Sequence, residues 1–245
     1  MKRMRLDKYL ADCGIGTRSS LREMIRRGRV KVNEKIIKEP AFPLNAEDAT
    51  VFVDNIKMDY KEFYYLIMNK PAGVISATED TKQNTVLDLL PDRYKRLGLF
   101  PVGRLDKDTE GLLILTNDGP LTHRLLSPKK HVPKTYFARI DEYITEEDVQ
   151  TFKDGIYIDD DFTALPAQLQ ILQAHQQSEI LLTLYEGKFH QVKRMFEAIN
   201  KKVVYLKRVR MGNLELDESL QTGQVREMSE KEIQKLQAPT EKGEI

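Results

Sequence analysis

The sequence predicts an α+β protein of two unequal parts, and three observations carry that prediction. Basic side chains crowd the first forty residues. Two short helical patterns there are followed by an alternating hairpin pattern. From Tyr60 onward, strand and helix patterns alternate and are joined by turn signals, which argues for a mixed α/β or α+β catalytic domain and against a sandwich or a bundle. A chain of 245 residues has room for one large domain or two unequal ones. The expected division is residues 1–58, residues 59–236 and a disordered tail over 237–245.

The first part opens with "LDKYLAD" (6–12) and "SSLREMIRR" (19–27), two short helices separated by "CGIGT", with Ser19 or Ser20 as the expected cap. Leu21, Met24 and Ile25 fall on one side of the second helix, and Arg18, Arg22 and Arg26 recur every fourth residue beside them. Gly28 stops the helix. "RVKVNEKII" then alternates as a hairpin around Asn33-Glu34, and a Pro-containing loop leads to a further short strand.

The second part begins with "FYYLIMNKPAGVIS", a buried strand ending in a Lys-Pro-Ala-Gly turn. "TVLDLLP" (85–91) reads as a short helix. "FPVGRLDKDTEGLLILTNDG" (100–119) supplies an acidic loop and a strand over Leu112–Thr116, and Asn117-Asp118-Gly119 signals a turn into the helix "PLTHRLLSP". "KTYFARI" (134–140) is a strand. "TEEDVQTFKDGI" is a helix opened by Thr145, with acidic residues in its first turn that suit the helix dipole. "SEILLTLYEG" is a strand. "FHQVKRMFEAIN" is a helix whose Val192, Met195, Phe196 and Ile199 keep the 3.6 period, and "VVYLKRVRMGNLEL" is a closing hairpin.

Composition excludes several classes of function. The single Cys13 permits no intramolecular disulfide and no multi-cysteine zinc site. No apolar run approaches signal-peptide or membrane-span length, so a soluble cytoplasmic protein without membrane contact is expected. Net charge is only +1, yet residues 1–40 hold twelve Lys/Arg against five Asp/Glu. That asymmetry points to a basic module, with Arg5, Lys8, Arg18, Arg22, Arg26, Arg27 and Arg29 as candidate phosphate contacts.

The chemistry-bearing stretch is the loop "GRLDKDTEG". Three acids, Asp106, Asp108 and Glu110, stand between Gly103 and Gly111. The opening resembles a calcium loop, but Glu110 occupies its fifth place and Asn117 its twelfth, and a strand pattern replaces the exiting helix. The four histidines lack zinc-ligand spacing. Neither a G-x-S-x-G elbow nor a phosphate loop is present. What remains is a partly desolvated carboxylate beside basic residues, such as Arg104 two places upstream, or a plain exposed acidic turn.

Residues 5–57 resemble the S4-like RNA-binding module, in which a helix pair presents its basic side to an RNA backbone. "GRLDKDTEGLLILTNDG" resembles the signature of the RNA pseudouridine synthases of the RsuA/RluB type. "NKPAGVIS" (69–76), "KTYFARI" (134–140), "EGKFHQVKRMF" (186–196) and "LKRVRMGNLEL" (206–216) resemble that family's other motifs, in family order and behind the S4-like module. The resemblance implies a synthase domain with a mainly antiparallel sheet and no cofactor or metal. It places Asp106 as the catalytic aspartate, Tyr136 as the ring packed on the target base, and Lys193 as the cation near the aspartate. Arg104, His190 and Gln191 are supporting or substrate-binding positions, and Gly187 allows close approach of a ligand. With Val192 inward, Lys193, Arg194 and His190 fall on the opposite helix face.

The implied reaction detaches a uracil from C1′, rotates it and rejoins it through C5. Asp106 acts at C1′, at C6 of the ring, or as a base at C2′. The expected partner is ribosomal RNA or a pre-ribosomal small-subunit particle, bound by a monomer. "EGKFHQVKRM" is more similar to the small-subunit (16S) type than to the large-subunit (23S) type. A non-catalytic rRNA-binding or ribosome-assembly protein and a small-molecule enzyme are the alternatives.

Overall fold

A computed structural model describes residues 3–160 and 162–240. The backbone forms two compact units, Met1–Tyr64 with Leu87–Phe100, and Tyr65–Val86 with Pro101–Ile245. Residues 87–100, which the sequence reading places in the second domain, therefore cluster with the first.

In the first unit β1 (Arg3–Arg5) leads directly into α1 (Leu6–Asp12), and α2 (Arg18–Arg26) follows. The cap of α2 is Thr17, whose side chain accepts from Ser20 N, not Ser19 or Ser20 as expected. Its apolar side, Leu21 and Ile25, is fully buried against Leu6, Tyr9 and Leu10 of α1, with Val30 and Val51 closing the core. β2 (Val30–Val32), β3 (Lys35–Ile36), β4 (Pro43–Asn45), β5 (Val51–Val53) and β6 (Ile56–Lys57) complete the module. In the spatial order β3-β2-β5-β6 four of these strands make an antiparallel sheet, and β1 pairs β4. Asn33-Glu34 and Asp54-Asn55 all take positive φ, the primed-turn geometry of two-residue hairpins.

"TVLDLLP" is not helical. Six residues before Pro91 are too few to repay helix nucleation, and Val86 N instead bonds Ile75 O, so this stretch forms turns. The helix comes later, as α3 (Asp92–Lys95).

The second unit is built on one large sheet. Its strands are β7 (Tyr65–Lys70), β9 (Glu110–Thr116), β10 (Lys134–Ile140), β13 (Gln168–Gln173), β14 (Ser178–Leu184), β15 (Val203–Met211) and β17 (Val225–Glu227), in the spatial order β13-β14-β10-β15-β9-β7-β17. The strand β8 (Phe100–Pro101) straddles the division between units, β11 (Ile156–Asp159) and β12 (Phe162–Ala164) form a separate ribbon, and β16 (Leu214–Glu215) pairs β15. The sheet is antiparallel except where β15 runs parallel to β9.

β9 starts at Glu110, two residues before the expected start. β11, β12, β13 and β17 are also additional to the sequence reading. Helices α4 (Gly119–Leu126), α5 (Glu146–Asp154) and α6 (Gln191–Ala198) match the periodic segments, and Thr145 closes a full capping box on α5. The expected disordered tail is corrected in part. Gln237 ends a further helix, α7 (Glu230–Gln237), and the Asn213 amide donates to Pro239 O. Residues 241–245 lie outside the described residues.

One row of paired residues matters for the site. Lys70 pairs Gly111, Gly111 pairs Arg208, and Arg208 pairs Tyr136, across β7, β9, β15 and β10. Residues paired across neighbouring strands project to the same side of a sheet. Lys70, Arg208 and Tyr136 thus share one buried face, and at the row's glycine the backbone of Arg208 lies where a side chain would begin.

Candidate active site

The loop between Gly103 and β9 is pinned from below at several points. Ser76 Oγ both accepts from Leu105 N (3.0 Å) and donates to Leu105 O (2.9 Å). Gly73 N donates to Lys107 O at 2.7 Å, and Thr109 N to Asp106 O at 3.1 Å. The fully buried Lys70 does most of the holding. Its ammonium donates to Thr109 O (2.8 Å), Pro71 O (2.9 Å), Asp106 O (3.1 Å) and Lys107 O (3.4 Å). Burial pushes the Lys70 ammonium down to about 8, while Asp108, Asp106 and Glu110 work in the opposite direction.

The carbonyl ring fixes the main chain of Asp106, and its side chain faces Lys193 of α6 and the imidazole of His190 at that helix's N-cap. Lys193 Nζ stands 3.6 Å from Oδ2 and His190 Nε2 3.7 Å from Oδ1. The Asp106 side chain is 28% exposed. At these distances Lys193 attracts the carboxylate, and neither group occupies its lone pairs, since a charge-assisted hydrogen bond would bring the donor within about 2.9 Å. A carboxylate so placed keeps both oxygens available to attack an electrophilic carbon or to take a proton.

Lys193 spends its hydrogen bonds on Asp108, at 2.7 and 2.8 Å. Partial desolvation works to raise the Asp108 carboxyl, and these bonds outweigh it, holding it below the usual carboxylate range. The sequence reading assigned Asp108 no role. Here it anchors the lysine that faces Asp106.

His190 caps α6 in the left-handed region, with φ 49°. As expected, Val192 is inward and Lys193 and Arg194 are not. Arg194 pairs with Asp159 on β11. Gln191 does not face Asp106. Its amide donates to Glu186 Oε1 (2.8 Å) and accepts from Lys188 N (2.9 Å), so it braces the turn before the helix. Arg104 is exposed and has no ion-pair partner among the described residues, which leaves Lys193, not Arg104, beside the carboxylate. Tyr136 is buried on β10 in register with Arg208, whose Nε donates to Leu112 O at 2.8 Å. Burial, reinforced by Arg208, pushes Lys134 down to about 8 on the same strand.

The sequence reading missed Lys70. Its only signal was a lysine closing an otherwise apolar strand, and all but one of its partners lie more than thirty residues away.

Among the candidate phosphate contacts, several are already committed. Arg5 and Arg22 both pair with the buried Asp7, Lys8 pairs with Asp12, Arg27 with Glu23 and Arg29 with Asp54. Arg18 and Arg26 are exposed and have no ion-pair partner among the described residues.

Residues 64–198 match the family model for RNA pseudouridylate synthase, and residues 4–49 match that for the S4 domain. The chain belongs to the RNA pseudouridine synthases. It is an isomerase of that family with an S4 domain at its N-terminal side. It is 46% identical to the Bacillus subtilis protein named uncharacterized RNA pseudouridine synthase YtzG, over 96% of this chain and 99% of that one. It is 38% identical to the ribosomal large subunit pseudouridine synthase B of the same organism, covering 98% of each. It is also 38% identical to the ribosomal small subunit pseudouridine synthase A of Haemophilus influenzae, covering 95% of this chain and 99% of that one. A crystal structure of a pseudouridylate synthase superposes with a TM-score of 0.66 at 36% identity, covering 95% of this synthase and 99% of that chain. No helix among the described residues is long and apolar enough to cross a membrane, and these residues hold no cluster of three or more potential metal ligands.

Proposed function

We propose that this synthase converts a uridine of ribosomal RNA to pseudouridine, with Asp106 as the reacting group and without a cofactor. The observation that carries the proposal is the Asp106 carboxylate, partly exposed and flanked at 3.6 and 3.7 Å by Lys193 and His190. Lys193 places a positive charge beside the carboxylate, and neither Lys193 nor His190 engages it by a short hydrogen bond. Its main chain is fixed by Lys70, so the carboxylate is presented on a rigid loop. Electrostatic preorganisation of this kind adds no reorganisation cost at the moment of reaction. An ionised Asp106 serves all three routes, attack at C1′, attack at C6 and proton removal at C2′.

The target uridine must leave its stack to reach the loop, at a cost of a few kcal/mol. Stacking on the Tyr136 ring returns about 1–3 kcal/mol. In the S4 domain, Arg18 and Arg26 supply unpaired guanidinium groups for backbone phosphates, and Arg5, Lys8, Arg22, Arg27 and Arg29 add to the positive field. The working unit is a cytoplasmic monomer acting on ribosomal RNA or on a small-subunit precursor particle.

Its third motif, "EGKFHQVKRM", favours a small-subunit target. The equal identity to a large-subunit synthase supports 23S rRNA as the second reading. Mapping pseudouridines in both rRNAs from cells with and without the protein separates them. Substituting Asp106→Asn should abolish formation of the mapped pseudouridine while leaving RNA affinity within a few-fold. Normal turnover by that variant overturns the assignment.

A further inference from the structure

Phe189 is 73% exposed, more than any other large hydrophobic side chain among the described residues. One face of its ring is stacked on His190, with centroids 3.8 Å apart and planes 16° from parallel. His190 in turn lies 3.7 Å from Asp106. The left-handed φ of His190 sets the two rings side by side, a conformation that few non-glycine residues adopt. The stack is carried on a chain turn braced by Gln191 and on the first turn of α6, where Arg194 N donates to His190 O.

Two basic side chains belong to this turn and helix, Lys188 and Arg194, the latter paired with Asp159. Lys188 is exposed, and both Lys188 and Arg194 approach the ring of Phe162, at 5.8 and 5.4 Å. Aromatic faces interleaved with Lys and Arg are the composition that holds single-stranded nucleic acid, because every base has a π-face and every nucleotide a phosphate.

We infer that the open face of Phe189 is a stacking platform for an RNA base adjacent to the uridine that is isomerised. This inference rests on the RNA-modifying function proposed above. The base on Phe189 is not the reacting one, because His190 already occupies the ring face next to Asp106. Eversion of the uridine strips its neighbours of a stacking partner, and the Phe189–His190 pair replaces it. The platform thereby favours the everted state without touching the reacting atoms.

The chain contains no tryptophan, so Phe189→Trp creates a single fluorescent reporter at the platform itself. Transcribed 16S and 23S rRNA serve as probes with the full-length protein. Emission from the Phe189→Trp protein should be quenched on saturation with the rRNA that it modifies, and its KM should stay within about threefold of the unsubstituted enzyme. Phe189→Ala and Phe189→Leu should each raise KM by about 5- to 150-fold, the span set by the loss of one base stack, with kcat retained at saturating RNA.

Phe189 is exposed, so unchanged thermal midpoints are expected for all three variants. Unmoved tryptophan emission at saturation, or an alanine variant with unaltered KM, overturns the platform while leaving the synthase assignment intact. Full function of Phe189→Leu overturns it too, because apolar area alone would then suffice. Absence of rRNA binding and modification by the unsubstituted protein removes the proposed function, and the platform with it.

Discussion

The Lys70 ammonium donates to the main-chain carbonyl of Asp106 at 3.1 Å. The residue assigned to chemistry is thus positioned by a group beneath the loop that binds its backbone and leaves its carboxylate free. Replacing Lys70 with Met keeps the stem and removes the donor, leaving the carbonyls of Thr109 and Pro71 without this partner, while Asp106 O still accepts from Thr109 N and Lys107 O from Gly73 N. Each unsatisfied buried acceptor costs about 1–3 kcal/mol. Lys70→Met should therefore lower stability by about 2–6 kcal/mol in urea titration. In whatever fraction stays folded, kcat should fall by at least tenfold while rRNA affinity holds.

At Gly111 the backbone of β9 lies close against β15. An added Cβ would lie 2.3 Å from Arg208 O and 2.9 Å from Arg208 N, and the residue has φ 100°. Gly111→Ala should fail to accumulate as soluble protein or should lose several kcal/mol of stability. Gly187→Ala is the matching control. Nothing lies within 4 Å of its Cβ position, so its thermal midpoint should be unchanged.

In the S4 domain the pairing of side chains decides which arginines are free to release counterions from RNA. On a double strand, every phosphate that a cation no longer neutralises takes about 0.9 from the log–log salt slope. Arg18→Ala with Arg26→Ala should shallow that slope by about 1.8 in filter-binding titrations. Arg29→Ala should change it less, because Asp54 already neutralises that guanidinium.

Acid stability has an identifiable origin. The Ser219 hydroxyl and the Arg226 guanidinium hold Asp217 down to about 2, and Arg226 also holds Glu232 down to about 2. Both folded values lie below the ordinary 3.8 and 4.5, so the unfolded chain binds more protons as the pH falls. The stabilisation is complete above about pH 4.5 and is lost as pH drops toward 2. Thermal midpoints measured from pH 5 to pH 2.5 should fall steeply, and Arg226→Gln should flatten that fall while lowering the midpoint at neutral pH.

Features with local causes were legible in the sequence. The strand Lys134–Ile140 coincides with "KTYFARI", and Thr145 caps its helix because the Asp three residues on completes the box. Ser229 and Glu232 carry the same signal for α7 and went unread. β13 has alternating burial behind a polar-looking "QLQILQ", and its pairing with β14 gives it strand form. The site divides in the same manner. Asp106 and Lys193 were found through motif resemblance, whereas Lys70 and Asp108 acquire their roles from partners 36–39 and 85 residues distant. No window of sequence contains such a contact.

The parallel seam between β9 and β15 joins residues 110–111 to residues 207–208. It sets an order of events during synthesis on the ribosome. The S4 module is complete while more than half of the polypeptide is still to be made. The strand that follows the Asp106 loop gains its parallel neighbour only when β15 has emerged. A chain truncated ahead of that strand would keep the S4 module and lack the parallel seam beside β9, and in binding titrations it should compete with the intact enzyme for RNA instead of acting as a weak version of it.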